Sequence, residues 1–181
     1  MHSYSHVISV FNQCFKNDLS TELVRGGHEP IYIPSSQAYP WHRVVFAYGY
    51  FSSALHEVSH WCIAGSERRK LLDFGYWYNP DGRTPEQQEA FASVEIKPQA
   101  LEWILSQSAC YKFRVSLDNL HGAADESSAS TAIFKNKIHA QVQQYILQGL
   151  PKRAKMFSDA LIAKYRPNEP LDLSEFNQEE I

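Results

Sequence analysis

Cysteine is scarce: Cys14, Cys62 and Cys110 stand far apart in 181 residues, odd in number and with no CxxC pair. That usage fits a reducing compartment better than a disulfide scaffold. No run approaches the roughly 18 apolar residues that a membrane helix needs. The N-terminus, MHSYSHVISVFNQCFKNDL, has no basic start, solid apolar run or small-residue cleavage site, so a signal peptide is not expected. A basic surplus is missing as well: 17 Lys and Arg face 20 Asp and Glu, for a net charge of -3. General nucleic-acid binding usually needs that surplus. Repeats, low-complexity tracts and Gly/Ser linkers are absent too. A soluble, cytoplasmic chain of one domain is expected.

The acidic excess is uneven. Residues 166–181 hold Arg166 against Glu169, Asp172, Glu175, Glu179 and Glu180. The expected division is therefore a nearly neutral domain over 1–165 and an acidic C-terminal tail over 166–181. Val7, Val10, Phe11, Cys14 and Phe15 recur at helical spacing and predict a helix near 4–17. Glu29–Pro34 reads as a short edge strand, because its prolines cannot donate to a ladder. Arg43–Tyr48 is almost solidly apolar after its first residue and reads as the central strand. A helix from about Ser52 to Ala64 should end at Gly65. Residues 73–78 read as a strand closed by the turn residues Asn79–Gly82. Thr84-Pro85-Glu86 is a helix start, and Pro98 should kink or restart that helix before Ala100–Ser108. Phe113–Leu117 is a weaker strand candidate. Helices near 130–148 and 152–164 are separated by Gly149-Leu150-Pro151. The order predicts an α+β fold, about five helices on a small mixed sheet.

The chemistry lies in His56-Glu57-Val58-Ser59-His60. Residues four apart lie one turn above each other on a helix, so both imidazoles can reach one metal ion. Val58, Ser59, Trp61 and Cys62 are uncharged, so the helix can be buried around the pair, where ionisable histidines need partners. A third ligand is needed from among Asp73, Glu89, Glu95, Glu102, Asp118, His121 and His139. Glu89 lies opposite the Phe91/Val94/Leu101/Leu105 stripe and should be solvated, whereas Glu95 and Glu102 both border it. Periodicity does not choose between those two. Two histidines and a carboxylate serve two chemistries. With zinc, Glu57 would be the general base of a hydrolase, peptidase or nuclease; with Fe(II), the set is the facial triad of a non-haem oxygenase.

Three segments separate these readings by resemblance: HEVSHWCIAGSERRKLLDFGYWYNPDGR at 56–83, VEIKPQALEW at 94–103 and IHAQVQQYI at 138–146. They resemble the elongation factor P hydroxylase family, from the EPIYIP segment to the KRAKMF segment. The resemblance implies an iron-dependent hydroxylase acting, with dioxygen, on the β-lysylated lysine of elongation factor P. It also implies a fold like that of a small metal-binding ribonuclease. Carried over by residue, the metal motif falls on His56, His60 and Glu95, which leaves Glu102 outside. In a hydroxylase Glu57 has no obligatory bond-making role and is a neighbouring partner or proton relay. The HxD…H arrangement of 2-oxoglutarate enzymes is absent. Tyr76 and Tyr78 share one strand face and offer ring faces to a cationic substrate arm, with Trp77 on the other. His139 is a core-edge histidine or a neighbour of the metal site. His121, in a stretch that matches the family poorly, reads as a loop residue. The basic runs Arg68-Arg69-Lys70 and Lys152, Arg153, Lys155 are solvated faces or a rim that docks an acidic partner.

Overall fold

The computed structural model describes residues 2–74, 84–116 and 129–181. Helix α1, Tyr4–Phe15, starts at the Ser3 N-cap and buries Val7, Val10, Phe11 and Phe15. Strand β1, Thr21–Arg25, follows at once, then β2, Ile31–Ile33, and β3, His42–Phe46. The sheet order is β1-β3-β2. β1 runs parallel to β3, with Leu23 opposite Val44, and β2 runs antiparallel to it, with Tyr32 opposite Val44. β3 is central and β2 holds one edge, as its flanking prolines require. Beyond that edge Tyr32 and Asp73 exchange backbone hydrogen bonds of 2.7 and 3.0 Å; the remainder of the strand expected over 73–78 lies outside the described residues.

Helix α2 spans Phe51–Ile63, α3 Pro85–Ser108, α4 Ala129–Gln148 and α5 Lys152–Tyr165. Short 3-10 turns occupy Arg68–Lys70, Leu173–Glu175 and Gln178–Glu180. The fold is α+β, with a small mixed sheet and five α-helices among the described residues. No described helix is long and apolar enough to cross a membrane. The chain turns between α4 and α5 at Gly149, whose φ of +101° lies in the region that glycine enters without penalty. Thr84 starts α3 with a complete capping box: its hydroxyl accepts from the Gln87 N–H while the Gln87 side chain accepts from the Thr84 N–H.

The structure differs from the sequence reading at four points. Pro98 does not restart the helix, since α3 runs as one element from Pro85 to Ser108. An interior proline costs about 3 kcal/mol, but α3 buries side chains on both its sides, and burying each large apolar side chain returns about 1.5–3 kcal/mol. One side, through Leu101 and Leu105, joins a core built from α1, β1, β3, α2 and α5. The other, through Ala100, Trp103 and Ile104, joins a second core with Phe113, Phe134, Ile138, Val142 and Phe176. Val94, placed in the apolar stripe by periodicity, is half exposed instead. Residues 113–116 form no strand: the side-chain amide of Gln99 takes both backbone groups of Ser116, at 2.6 and 3.1 Å, where a strand partner would otherwise stand. Leu117 is outside the described residues. Finally, β1 has no counterpart in the sequence reading.

The acidic C-terminal stretch packs onto the domain. Arg166 pairs with Glu175 at 2.5 Å, and Phe176 meets Trp103 edge-on at 5.4 Å between ring centroids.

Candidate metal centre

α2 forms because Phe51, Ala54, Leu55, Val58, Trp61 and Cys62 bury one continuous face, the i, i+3, i+4 pattern of an amphipathic helix. His56 and His60 lie at the border of that face, with 25% and 17% of their side chains exposed. α3 packs across α2 and brings Glu95, 3% exposed, to meet them. His60 Nε2 lies 3.2 Å from Glu95 Oε1, and His56 Nε2 lies 3.6 Å from Glu95 Oε2. The two Nε2 atoms are 3.1 Å apart. One ligand atom from each of the three residues falls within 4.8 Å of the others.

Glu102 stands two turns beyond Glu95 on α3, 7% exposed, and grips the far side of the same ring. Its Oε2 accepts from His56 Nδ1 at 2.8 Å. Sequence reasoning treated Glu102 as a rival ligand; the structure sets it behind the histidine, on the nitrogen that faces away from Glu95. A spacing of seven residues was the available signal, since it keeps two carboxylates on one helix face.

Electrostatics follow from this arrangement. Burial alone would lower the His56 pKa, but Glu102, charged and hydrogen-bonded, with Glu95 and Glu57 beyond it, drives it well above its ordinary value. Burial would raise Glu95, yet the His60 hydrogen bond, both histidine charges and Gln99 hold its carboxyl at about 2. Burial pushes Glu57 up, against the pull of the two histidines.

Glu57 is not one of the three clustered residues. With His60, Tyr32, Arg69 and Asp73 it lines a cavity of about 30 Å³, room for roughly two waters. Asp73 is held by Arg68 in a two-bond pair, one of 3.1 Å. Glu89 is exposed, as its position on α3 predicts. His139 sits beside Trp103, 6.1 Å between ring centroids, and is not in the cluster. Asp118, His121, Tyr76, Trp77 and Tyr78 lie outside the described residues.

The basic runs are largely engaged at home. Lys70 pairs with Glu67 at 2.7 Å and Lys155 with Asp159 at 2.6 Å. Arg153 is the residue that sequence reasoning misplaced. Its Nη2 donates to the carbonyls of Trp61, Cys62 and Ala64 at 2.8, 3.0 and 2.6 Å, which are the orphan acceptors at the end of α2. Its guanidinium also lies over the Trp61 ring, 4.9 Å from the centroid.

Fold and site together define a small α+β domain in which one helix presents two histidines to a carboxylate of the helix packed across it. The elongation factor P hydroxylase family model matches residues 10–176. The chain is 48% identical, over 176 residues and 97% of each chain, to the elongation factor P lysine hydroxylase of Haemophilus influenzae. The chain belongs to the elongation factor P hydroxylase family. The matched span covers His56, His60, Glu95 and Glu102, and continues past Arg166 to residue 176.

Proposed function

We propose that this chain hydroxylates the β-lysylated lysine of elongation factor P, with Fe(II) held by His56, His60 and Glu95 and dioxygen as co-substrate. The observation that carries the reading is the convergence of those three side chains in a chain so similar to a protein named as an elongation factor P lysine hydroxylase.

The donor set fits a divalent cation. Glu95 Oε2 is buried and has no hydrogen-bond partner, which costs about 1–3 kcal/mol unless something binds it. Two imidazole Nε2 atoms 3.1 Å apart can share one proton at most, or both turn lone pairs toward a common ion. Two neutral nitrogens and one carboxylate are the set that, with Fe(II), leaves coordination positions open and supplies the redox chemistry an unactivated C–H bond requires. Hydroxylation places one oxygen atom of dioxygen in the C–H bond; the other leaves as water, with two electrons and two protons from an external reductant.

The protein's own part is positioning. The packed face of α2 and the Arg153 cap hold the two histidines in place, and the His60 hydrogen bond, the two histidine charges and Gln99 keep the Glu95 carboxylate ionised against its burial between α2 and α3. Glu57 lines the cavity beside His60 and would pass a proton to or from water there. The same placement supports the second reading, a zinc hydrolase with Glu57 as general base.

The test is metal analysis of anaerobically purified protein, with mass spectrometry of β-lysylated elongation factor P after incubation with Fe(II), oxygen and a reductant. A gain of one oxygen atom that is absent from His56→Ala, His60→Ala and Glu95→Ala is expected. Zinc in place of iron, with hydrolysis of peptide or RNA and no oxygen gain, selects the second reading.

A further inference from the structure

We infer that Glu102 is the positioning residue of this centre. It fixes the ring orientation and tautomer of His56, and it supplies the second negative charge that brings a loaded Fe(II) site to neutrality. The inference rests on the metal reading of His56, His60 and Glu95 and extends it to a residue outside the ligand set.

Three structural observations carry it. The first is the 2.8 Å contact between Glu102 Oε2 and His56 Nδ1. A carboxylate only accepts, so Nδ1 carries hydrogen, and in the neutral ring that binds a metal Nε2 is left to offer its lone pair. The second is direction. The nitrogen so freed is the one that faces His60 Nε2 at 3.1 Å and Glu95 Oε2 at 3.6 Å. Glu102 and the cluster therefore lie on opposite sides of one imidazole, and Glu102 cannot reach an ion bound at Nε2 without displacing the ring. The third is asymmetry: among the described residues His60 has no acceptor on its Nδ1, so this orienting contact is made to one histidine only.

Charge gives the arrangement a consequence for substrate. Fe(II) with two neutral histidines and the Glu95 carboxylate carries about one net positive charge, which repels a lysine-derived ammonium. Glu102, 7% exposed, cancels it from the far side of His56 without occupying a coordination position. Carboxylates behind a ligating histidine raise the basicity of the ring as well as orienting it, and removing one typically weakens metal binding about 10–100-fold.

The experiment titrates the metal-free full chain with Co(II), a redox-stable spectroscopic probe, in the wild type and in Glu102→Leu, Glu102→Gln and Glu95→Ala. Glu102→Leu loses both the acceptor and the charge. It should bind Co(II) about 10–100-fold more weakly, with a changed visible spectrum. Glu102→Gln keeps an amide oxygen for the Nδ1–H and should recover part of the affinity. It is also the isosteric variant on which the test stands if the leucine variant fails to fold. Wild-type affinity and an unchanged spectrum in both Glu102 variants would overturn the inference. So would a loss in both as complete as in Glu95→Ala, which would make Glu102 a ligand. No Co(II) binding by the wild type would instead bring down the metal reading itself, and this inference with it.

Discussion

Replacing Arg153 by methionine keeps the apolar stem and removes the guanidinium that closes the end of α2. One nitrogen, Nη2, serves the carbonyls of Trp61, Cys62 and Ala64 at 2.8, 3.0 and 2.6 Å. It has two hydrogens for three acceptors, so the contacts are not three independent bonds. Hydrogen bonds to a charged group contribute about 1.5–3 kcal/mol each, and a cation at a helix C-terminus up to about 2 kcal/mol. These overlap, because they are one electrostatic contact counted two ways. Trp61 and Cys62 are each 3% exposed, so water cannot readily replace the lost donor at their carbonyls. The expected loss is therefore about 2–4 kcal/mol, with about half recovered by Arg153→Lys, which restores the charge but not the planar fork. Urea unfolding of the metal-free protein reads it as a lower midpoint at unchanged slope. Lys155→Met is the control: that lysine is exposed and, among the described residues, pairs only with Asp159, so it should move stability by less than about 0.5 kcal/mol. If Arg153→Met behaves like Lys155→Met in urea and instead slows association with the protein substrate, Arg153 belongs to a docking rim and the capping argument fails.

Other expectations follow from the same geometry. Glu57→Gln should retain substantial hydroxylation with metal content unchanged; complete loss with the metal still bound would assign Glu57 an obligatory proton transfer. Exposed Cys110 should alkylate promptly in the native protein. Cys62, buried and with its thiol pushed up to about 12 by that burial, should label only on unfolding, as peptide mass spectrometry after timed iodoacetamide treatment will show. Burial would raise the Glu22 carboxyl, but hydrogen bonds from Lys16 and Tyr39 hold it below its ordinary 4.5. Its contribution to stability should thus be present above about pH 4.5 and lost as pH falls through the folded value. Unfolding midpoints of Glu22→Gln and wild type should accordingly converge in acid; a gap that stays constant down to pH 3 would refute the assignment.

Where a segment's structure follows from its own neighbours, the sequence was sufficient. α1 and α2 carry their buried stripes in their spacing, Thr84-Pro85 announces α3, and Gly149 with Pro151 marks the α4–α5 turn. β3 is legible because a central strand is apolar on both faces. β1 is not. Thr21–Arg25 contains only two apolar residues, and its state is set from outside: Leu23 N–H donates to Asn12 Oδ1 at 2.9 Å, and the strand pairs with residues 42–46. The site divides in the same way. The four-residue spacing of His56 and His60 is local and predicts their shared face. Glu95 entered by family resemblance, because choosing it over Glu102 requires knowing which side of His56 each carboxylate reaches. Arg153 reaches α2 across some ninety positions of sequence, and no local pattern distinguishes a capping arginine from a solvated one.

The continuity of α3 through Pro98 is what gives the two carboxylates their separate places. Seven residues along an unbroken helix amount to nearly two turns, so Glu95 and Glu102 point to one side about 10 Å apart along the axis. The side chain of His56 lies between them, with Nδ1 bonded to one and Nε2 facing the other. A restart at Pro98 would rotate one carboxylate away from α2 and leave the imidazole with a single partner. Helical phase is enforced instead by the packing on either side of the segment after the proline, Leu101 and Leu105 in one core, Trp103 and Ile104 in the other. Burial on two sides fixes the rotation of a helix more tightly than burial on one, because any turn that relieves one core opens the other. The same packing that offsets the proline therefore also sets the angle at which Glu102 meets the ring. Geometry at the metal centre is in this sense a property of the core residues of α3 as much as of its carboxylates.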